Sequence, residues 1–159
     1  MPYIHLTTFI AAPVERVFDL SRSIDLHKVS MQKYGEVPVQ GTTFGLMSEG
    51  ETVTWKAKHL FKERFLKVKL SFSKRPYVFI DEQVEGDFTM LKHEHYCKPI
   101  QNGTLLIDQF RYEIGRGKLG TVFNNIYLKK YMERLLEERN KMLKEVAESN
   151  QWKKFLPNA

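Results

Sequence analysis

The strongest constraint on this chain is a change of period partway along it. Over residues 37–113 the sequence runs in β-branched and aromatic stretches broken by turn residues near Gly50, Lys62, Arg75-Pro76, Gly86 and Asn102-Gly103, which predicts a meander of about six antiparallel strands. After Gly115-Arg116-Gly117 the apolar residues recur at helical spacing instead. Leu119, Val122, Phe123, Ile126, Tyr131, Leu135, Met142 and Val146 form one stripe with charges opposite, so one long helix is expected over about residues 118–149. A sheet that must cover one apolar face, followed by a helix that must bury one stripe, favours an α+β fold with the helix laid across a curved sheet.

The start of the chain completes this plan. Residues 3–10 have strand composition, and Pro13 sits where a helix can begin without using its missing N–H. A short helix is expected to about Leu20, with Val14, Val17 and Phe18 inward, and a second from near Ser23 or Asp25, carrying Leu26 and Val29 inward. Trp152 and Phe155 are expected to tack down the tail. No linker, fixed-period repeat or low-complexity tract interrupts the sequence, so residues 1–159 are expected to form a single domain of about seven strands and one long helix.

Composition narrows the function classes. With 42% hydrophobic and 13% aromatic residues, the chain can bury a core and need not be disordered. The lone Cys97 can close no internal disulfide and no CxxC is present, which fits a reducing compartment such as the cytoplasm. No stretch approaches the roughly 20 apolar residues that span a bilayer. The net charge of +6 is spread along the chain among acidic residues, and the basic stretch Lys56, Lys58, Lys62, Arg64, Lys67 and Lys69 reads as a solvated outer face. No stacking aromatics accompany them in the manner of a single-strand platform, so no specific nucleic acid is expected, and weak contact with an anionic surface is what the charge leaves open. Gly115-Arg116-Gly117-Lys118-Leu119-Gly120 lacks the spacing of a phosphate-binding loop and reads as a turn into the helix.

Side-chain alternation assigns the faces. With His59 opposite Arg64, the residues Val53, Trp55, Ala57 and His59 share a face with Leu66, Val68 and Leu70. Pairing Phe72 with Val78 brings Ile80, Glu82 and Val84 to that side, followed by Thr89, Leu91, His93 and His95, and then by Leu106, Asp108, Phe110 and Tyr112. In this register His93 lies opposite Asp108.

The whole plan resembles the helix-grip family that includes START-like lipid carriers, the birch-pollen allergen and polyketide cyclases, the SRPBCC superfamily. The resemblance rests on Ala12-Pro13-Val14-Glu15-Arg16-Val17-Phe18-Asp19-Leu20, on residues 50–59 (GETVTWKAKH), on His93-Glu94-His95-Tyr96, Gly103-Thr104 and Asp108, and on residues 135–140 (LLEERN). It is closest in kind to a bacterial branch described as ligand-binding, cell-division-inhibitor-like or polyketide-cyclase-like. The resemblance implies a hydrophobic cavity between sheet and helix, while members of such a family bind, transport or cyclise their ligands, so fold alone does not fix a reaction.

Ionisable groups on an apolar face need an explanation, because a buried charge without a partner is costly. His59, Glu82, His93, His95 and Asp108 are the polar candidates for a site, and Trp55, Leu91, Phe110, Tyr112, Phe123, Ile126 and Tyr127 its apolar wall. Three readings remain open for the polar set: a structural His–carboxylate pairing, recognition of a ligand's polar end, or acid–base catalysis on a carbonyl or polycyclic ligand by His93 or His95. A regulatory protein without catalysis is a further alternative. The HxH pair at 93 and 95 could join His59 and a carboxylate around a metal, but that spacing is common and no metal or other cofactor is expected; Cys97 reads as a small apolar filler. The partner expected is a hydrophobic or amphipathic small molecule.

Overall fold

Strand β1 (Tyr3–Ile10) leads into α1 (Val14–Ser21) and α2 (Ile24–Ser30), and after a 3-10 turn at Gln32–Tyr34 six strands follow. These are β2 (Val37–Gly41), β3 (Thr52–His59), β4 (Lys62–Lys74), β5 (Val78–Glu85), β6 (Phe88–Ile100) and β7 (Gly103–Ile114). The long helix α3 (Asn125–Glu148) and a single turn, α4 (Trp152–Phe155), close the chain. The computed structural model describes residues 1–115 and 125–158. The part of the expected helix before residue 125, including the wall candidate Phe123, lies outside the described residues.

All strands are antiparallel in the order β1-β7-β6-β5-β4-β3-β2, so the last strand folds back beside the first. Local signals set the helices between them. Pro13 precedes α1, and the Ser23 hydroxyl accepts from the Leu26 amide to cap α2, satisfying a donor the helix cannot. Asp19 of α1 accepts from both Arg22 and Arg75, at 2.8 Å to each Nη2, which ties α1 to the β4–β5 turn. At the tail the Arg16 guanidinium stacks 4.2 Å from the Trp152 ring centre.

Two apolar clusters fill the space between α3 and the sheet. One joins Phe18, Leu20, Ile24 and Leu26 of α1 and α2 to Phe79, Leu106 and the end of α3 at Leu143 and Val146. The other joins Ile4, Leu91, Phe110 and Tyr112 to Leu128 and Leu136 nearer the start of α3. The buried stripe of α3 thus runs through Leu128, Leu136, Leu143 and Val146, rotated from the one the sequence predicts, and Ile126 and Tyr127 are 60% and 54% exposed. These two wall candidates are corrected: a stripe extrapolated back toward residue 119 misplaces the helix's first described turn.

The strand registers depart from expectation in an instructive way. Both the β3–β4 and β6–β7 hairpins pair two residues away from the predicted register, His59 with Lys62 and His95 with Asp108, an even shift that keeps side chains on their predicted faces wherever the ladder is regular. Between β4 and β5 the outcome differs. A bulge at Leu70/Phe72 makes Leu70 pair with Asp81 and Phe72 with Ile80. Phe79 and Asp81 therefore face the helix, while Phe72, Glu82 and Val84 are exposed. The placement of Glu82 on the inner face is overturned, and Ile80 and Val84 turn outward with it. A second irregularity at Phe88/Met90 leaves Thr89 exposed as well.

Candidate functional site

Between the two apolar clusters lies a cavity of about 250 Å³, walled by the sheet on one side and by α2 and α3 on the other. Val53, Trp55, Ala57, Leu66, Val68, Leu70, Phe79, Leu91 and Phe110 supply most of its sheet wall, with Leu128, Met132 and Leu136 from α3. Two polar clusters stand on this wall.

The deeper cluster is built on Asp108, fully buried on β7. His93 Nε2 lies 2.8 Å from its Oδ1, and Asn140 Nδ2 of α3 donates to its Oδ2 at 2.6 Å. Arg139 Nη1 stands 3.6 Å from Oδ1, and that guanidinium also donates to the Asn140 Oδ1 and to the Ser21 carbonyl. His95 is hydrogen-bonded to Asp81 through Nε2 at 3.0 Å, and its Nδ1 stands 3.1 Å from the Asp108 Oδ1 without the geometry of a hydrogen bond. Its ring is stacked between Phe79, 4.1 Å away by centroid, and His93 at 3.7 Å. Burial opposes the charge of Asp108, but the His93 hydrogen bond, the adjacent His95 and the Arg139 cation hold the carboxyl well below the usual range. His93 is pushed down to about 4, first by burial and then by His95 beside it, against the pull of Asp108. The pair is thus a neutral imidazole donating to a carboxylate.

The second cluster was not foreseen as a unit. Glu36, just before β2, accepts from His27 Nε2 of α2 at 2.7 Å and from His59 Nε2 of β3 at 2.8 Å. The Tyr131 hydroxyl of α3 lies 2.7 Å from the other His59 nitrogen, Nδ1. Burial disfavours the Glu36 charge, yet the two imidazoles bring its pKa down to about 2. His27 packs against Trp55 at 4.4 Å and Tyr34 against His59 at 5.1 Å, so aromatic rings hold the network in place.

Of the residues singled out from the sequence, Trp55, His59, Leu91, His93, His95 and Phe110 line the cavity. Asp108 stands behind the two histidines and Tyr112 is buried beneath Phe88 and Phe110, neither on the wall itself. Glu82, Ile126 and Tyr127 are exposed. Sequence reasoning missed Asp81, Glu36, His27 and the pair Arg139-Asn140. The last two carried a signal: Leu136, Arg139, Asn140 and Leu143 are spaced 3, 1 and 3 apart, which puts a charge on the apolar stripe.

The metal set considered from the sequence is not assembled, because His59 belongs to the other cluster. Among the described residues His93, His95 and Asp108 do bring ligand atoms within 4.8 Å of one another. The Arg139 guanidinium already supplies a positive charge beside Asp108, and a cation there would have to displace a 2.8 Å hydrogen bond. Cys97 is buried, and burial, then the nearby Asp108 charge, push its thiol up to about 12, far from a nucleophile's range.

By sequence, no protein-family model and no curated protein matches the chain. By structure it is similar to TTHA0849 from Thermus thermophilus, with a TM-score of 0.69 at 19% identity over 91% of this chain and 95% of that one. A START superfamily protein from Mycobacterium smegmatis gives 0.68 at 16% identity, covering 92% and 97%. The di-domain ARO/CYC StfQ from the steffimycin biosynthetic pathway gives 0.66 at 12%, covering 92% of this chain and 50% of that one. Such identities speak to architecture alone, and the architecture is a helix-grip fold.

Proposed function

We propose that the chain binds a hydrophobic or amphipathic small molecule in the cavity between the sheet and α3, as one cytoplasmic domain. The observation that carries this reading is the cavity itself: about 250 Å³ of space walled mainly by apolar side chains with a few convergent polar groups. Known ligand pockets have that character at ~300–1,000 Å³, so the size favours a small or slender ligand. An acid–base role finds less support, because the deep groups spend their hydrogen bonds on one another: His93 and Asn140 both end on Asp108. The comparison with an ARO/CYC protein keeps a cyclase-like reaction as the competing reading.

The test is a thermal-shift screen of fatty acids, sterols and aromatic polyketides, with native mass spectrometry of protein purified gently from its source. A ligand at about 100 times its Kd stabilises by about 2.7 kcal/mol, a rise of several degrees in Tm for a chain this long. Val68→Trp, which fills the cavity, should remove the shift. No shift with any class and no co-purifying molecule would overturn the reading.

A further inference from the structure

The hydrogen-bond chain at the cavity's second polar cluster fixes more than a position. Glu36 is a carboxylate and can only accept, so both imidazoles facing it must donate from Nε2. For His59 this settles the tautomer of the singly protonated ring, because Nε2 carries the hydrogen and Nδ1 is a lone pair. The Tyr131 hydroxyl, 2.7 Å from Nδ1, must then donate to it. Its oxygen is left with lone pairs alone to offer the cavity, which Tyr131 lines.

We infer that Tyr131, set by the His59–Glu36–His27 chain, is a recognition site for the polar end of the ligand, its phenol oxygen accepting from a ligand hydroxyl. The inference rests on the cavity being a ligand site and adds the class of ligand: a slender apolar molecule ending in a hydroxyl. Tyr131 is suited to this because burial, and then Glu36, raise the pKa of its phenol, which keeps the hydrogen it donates to His59. Other charged and polar groups stand around this pair. Arg64 of β4 donates from Nε to the His59 carbonyl and pairs with Asp87. Lys62 is its cross-strand partner, Tyr34 stacks on it and donates to Glu138, and Lys33 pairs with Glu138.

The experiment compares decanol with decyl methyl ether, which share an acceptor oxygen and differ in the hydroxyl hydrogen, using Trp55 fluorescence to read binding. The wild type should prefer the alcohol by about five- to tenfold relative to Tyr131→Phe, the effect of one neutral hydrogen bond. Glu36→Gln, whose amide can donate to His59 as well as accept, should weaken the preference; an unchanged thermal midpoint in Tyr131→Phe shows that the loss is not one of folding. A preference that survives Tyr131→Phe, or none at all, overturns the inference while leaving the cavity as a binding site. If neither probe binds while a fatty acid, sterol or polyketide does, the inference is overturned and the cavity reading stands.

Discussion

His93 should make the protein acid-labile over a defined window. Its imidazole is 8% exposed, donates to Asp108 and has a pKa of about 4, against ~6.5 in an unfolded chain. A histidine whose pKa is lowered by folding is protonated first in the unfolded state, so stability falls as pH drops through ~6.5 and levels off below about 4. Those two values give a loss of about 2 kcal/mol between pH ~7.5 and ~5, and about 3 kcal/mol once the folded ring is protonated. The carboxyl of Asp108, held below its usual range, gives up its own contribution only at more acid pH, so the two windows separate. Urea unfolding of the wild type and of His93→Gln at a series of pH values isolates the group, since the other titrating residues are common to both. Glutamine can still donate to Asp108 but cannot be protonated. The variant should start less stable by about 1 kcal/mol and close the gap or overtake the wild type near pH 5. Curves that stay parallel would show that His93 is not held neutral and would refute the electrostatic account of the cluster.

Asp108→Asn should cost about 3–5 kcal/mol, because it leaves the buried Arg139 without its carboxylate; a loss under about 1 kcal/mol in urea would mean that charge is compensated elsewhere. Phe61, 98% exposed at φ 65° in the β3–β4 turn, loses no packing on replacement by glycine, so Phe61→Gly should gain about 1 kcal/mol, read as a higher Tm. Glu82→Gln should stay within about 0.5 kcal/mol of the wild type, whereas Asp81→Asn, which weakens the bond to His95, should cost about 1–2 kcal/mol; equal effects would contradict the register of β5.

The sheet and helix were legible because period is a property of neighbouring residues. Faces were legible wherever the ladder is regular: His93, His95, Asp108 and Phe110 fall on the inner side even though each hairpin pairs two residues away from expectation. That shift has a local cause in the first hairpin, whose two turn residues are Leu60 and Phe61, at φ 54° and 65° where asparagine or glycine is usual, so composition pointed to Lys62 instead. The bulge at Leu70/Phe72 left no mark in the sequence, since Leu66, Val68, Leu70 and Phe72 alternate as an unbroken strand would, and Glu82 was lost to it. The Glu36 network was hidden for another reason. Its members come from α2, a turn, β3 and α3, and only the closed fold brings His27, Glu36, His59 and Tyr131 together.

The β4 bulge also separates two properties of the cavity that a regular strand would couple. Ser71 is the residue without a partner in the ladder, and the residues on either side of it already hold the faces they would hold in a strand one residue shorter, Leu70 inward and Phe72 outward. Removing it would straighten the strand without exchanging Phe79 and Asp81 for Ile80 and Glu82, since a bulge bends its strand and deepens the local twist. Lineages can thus adjust the curl of the sheet, and the room beneath it, by insertion or deletion at this point, while the identity of the wall changes only by substitution.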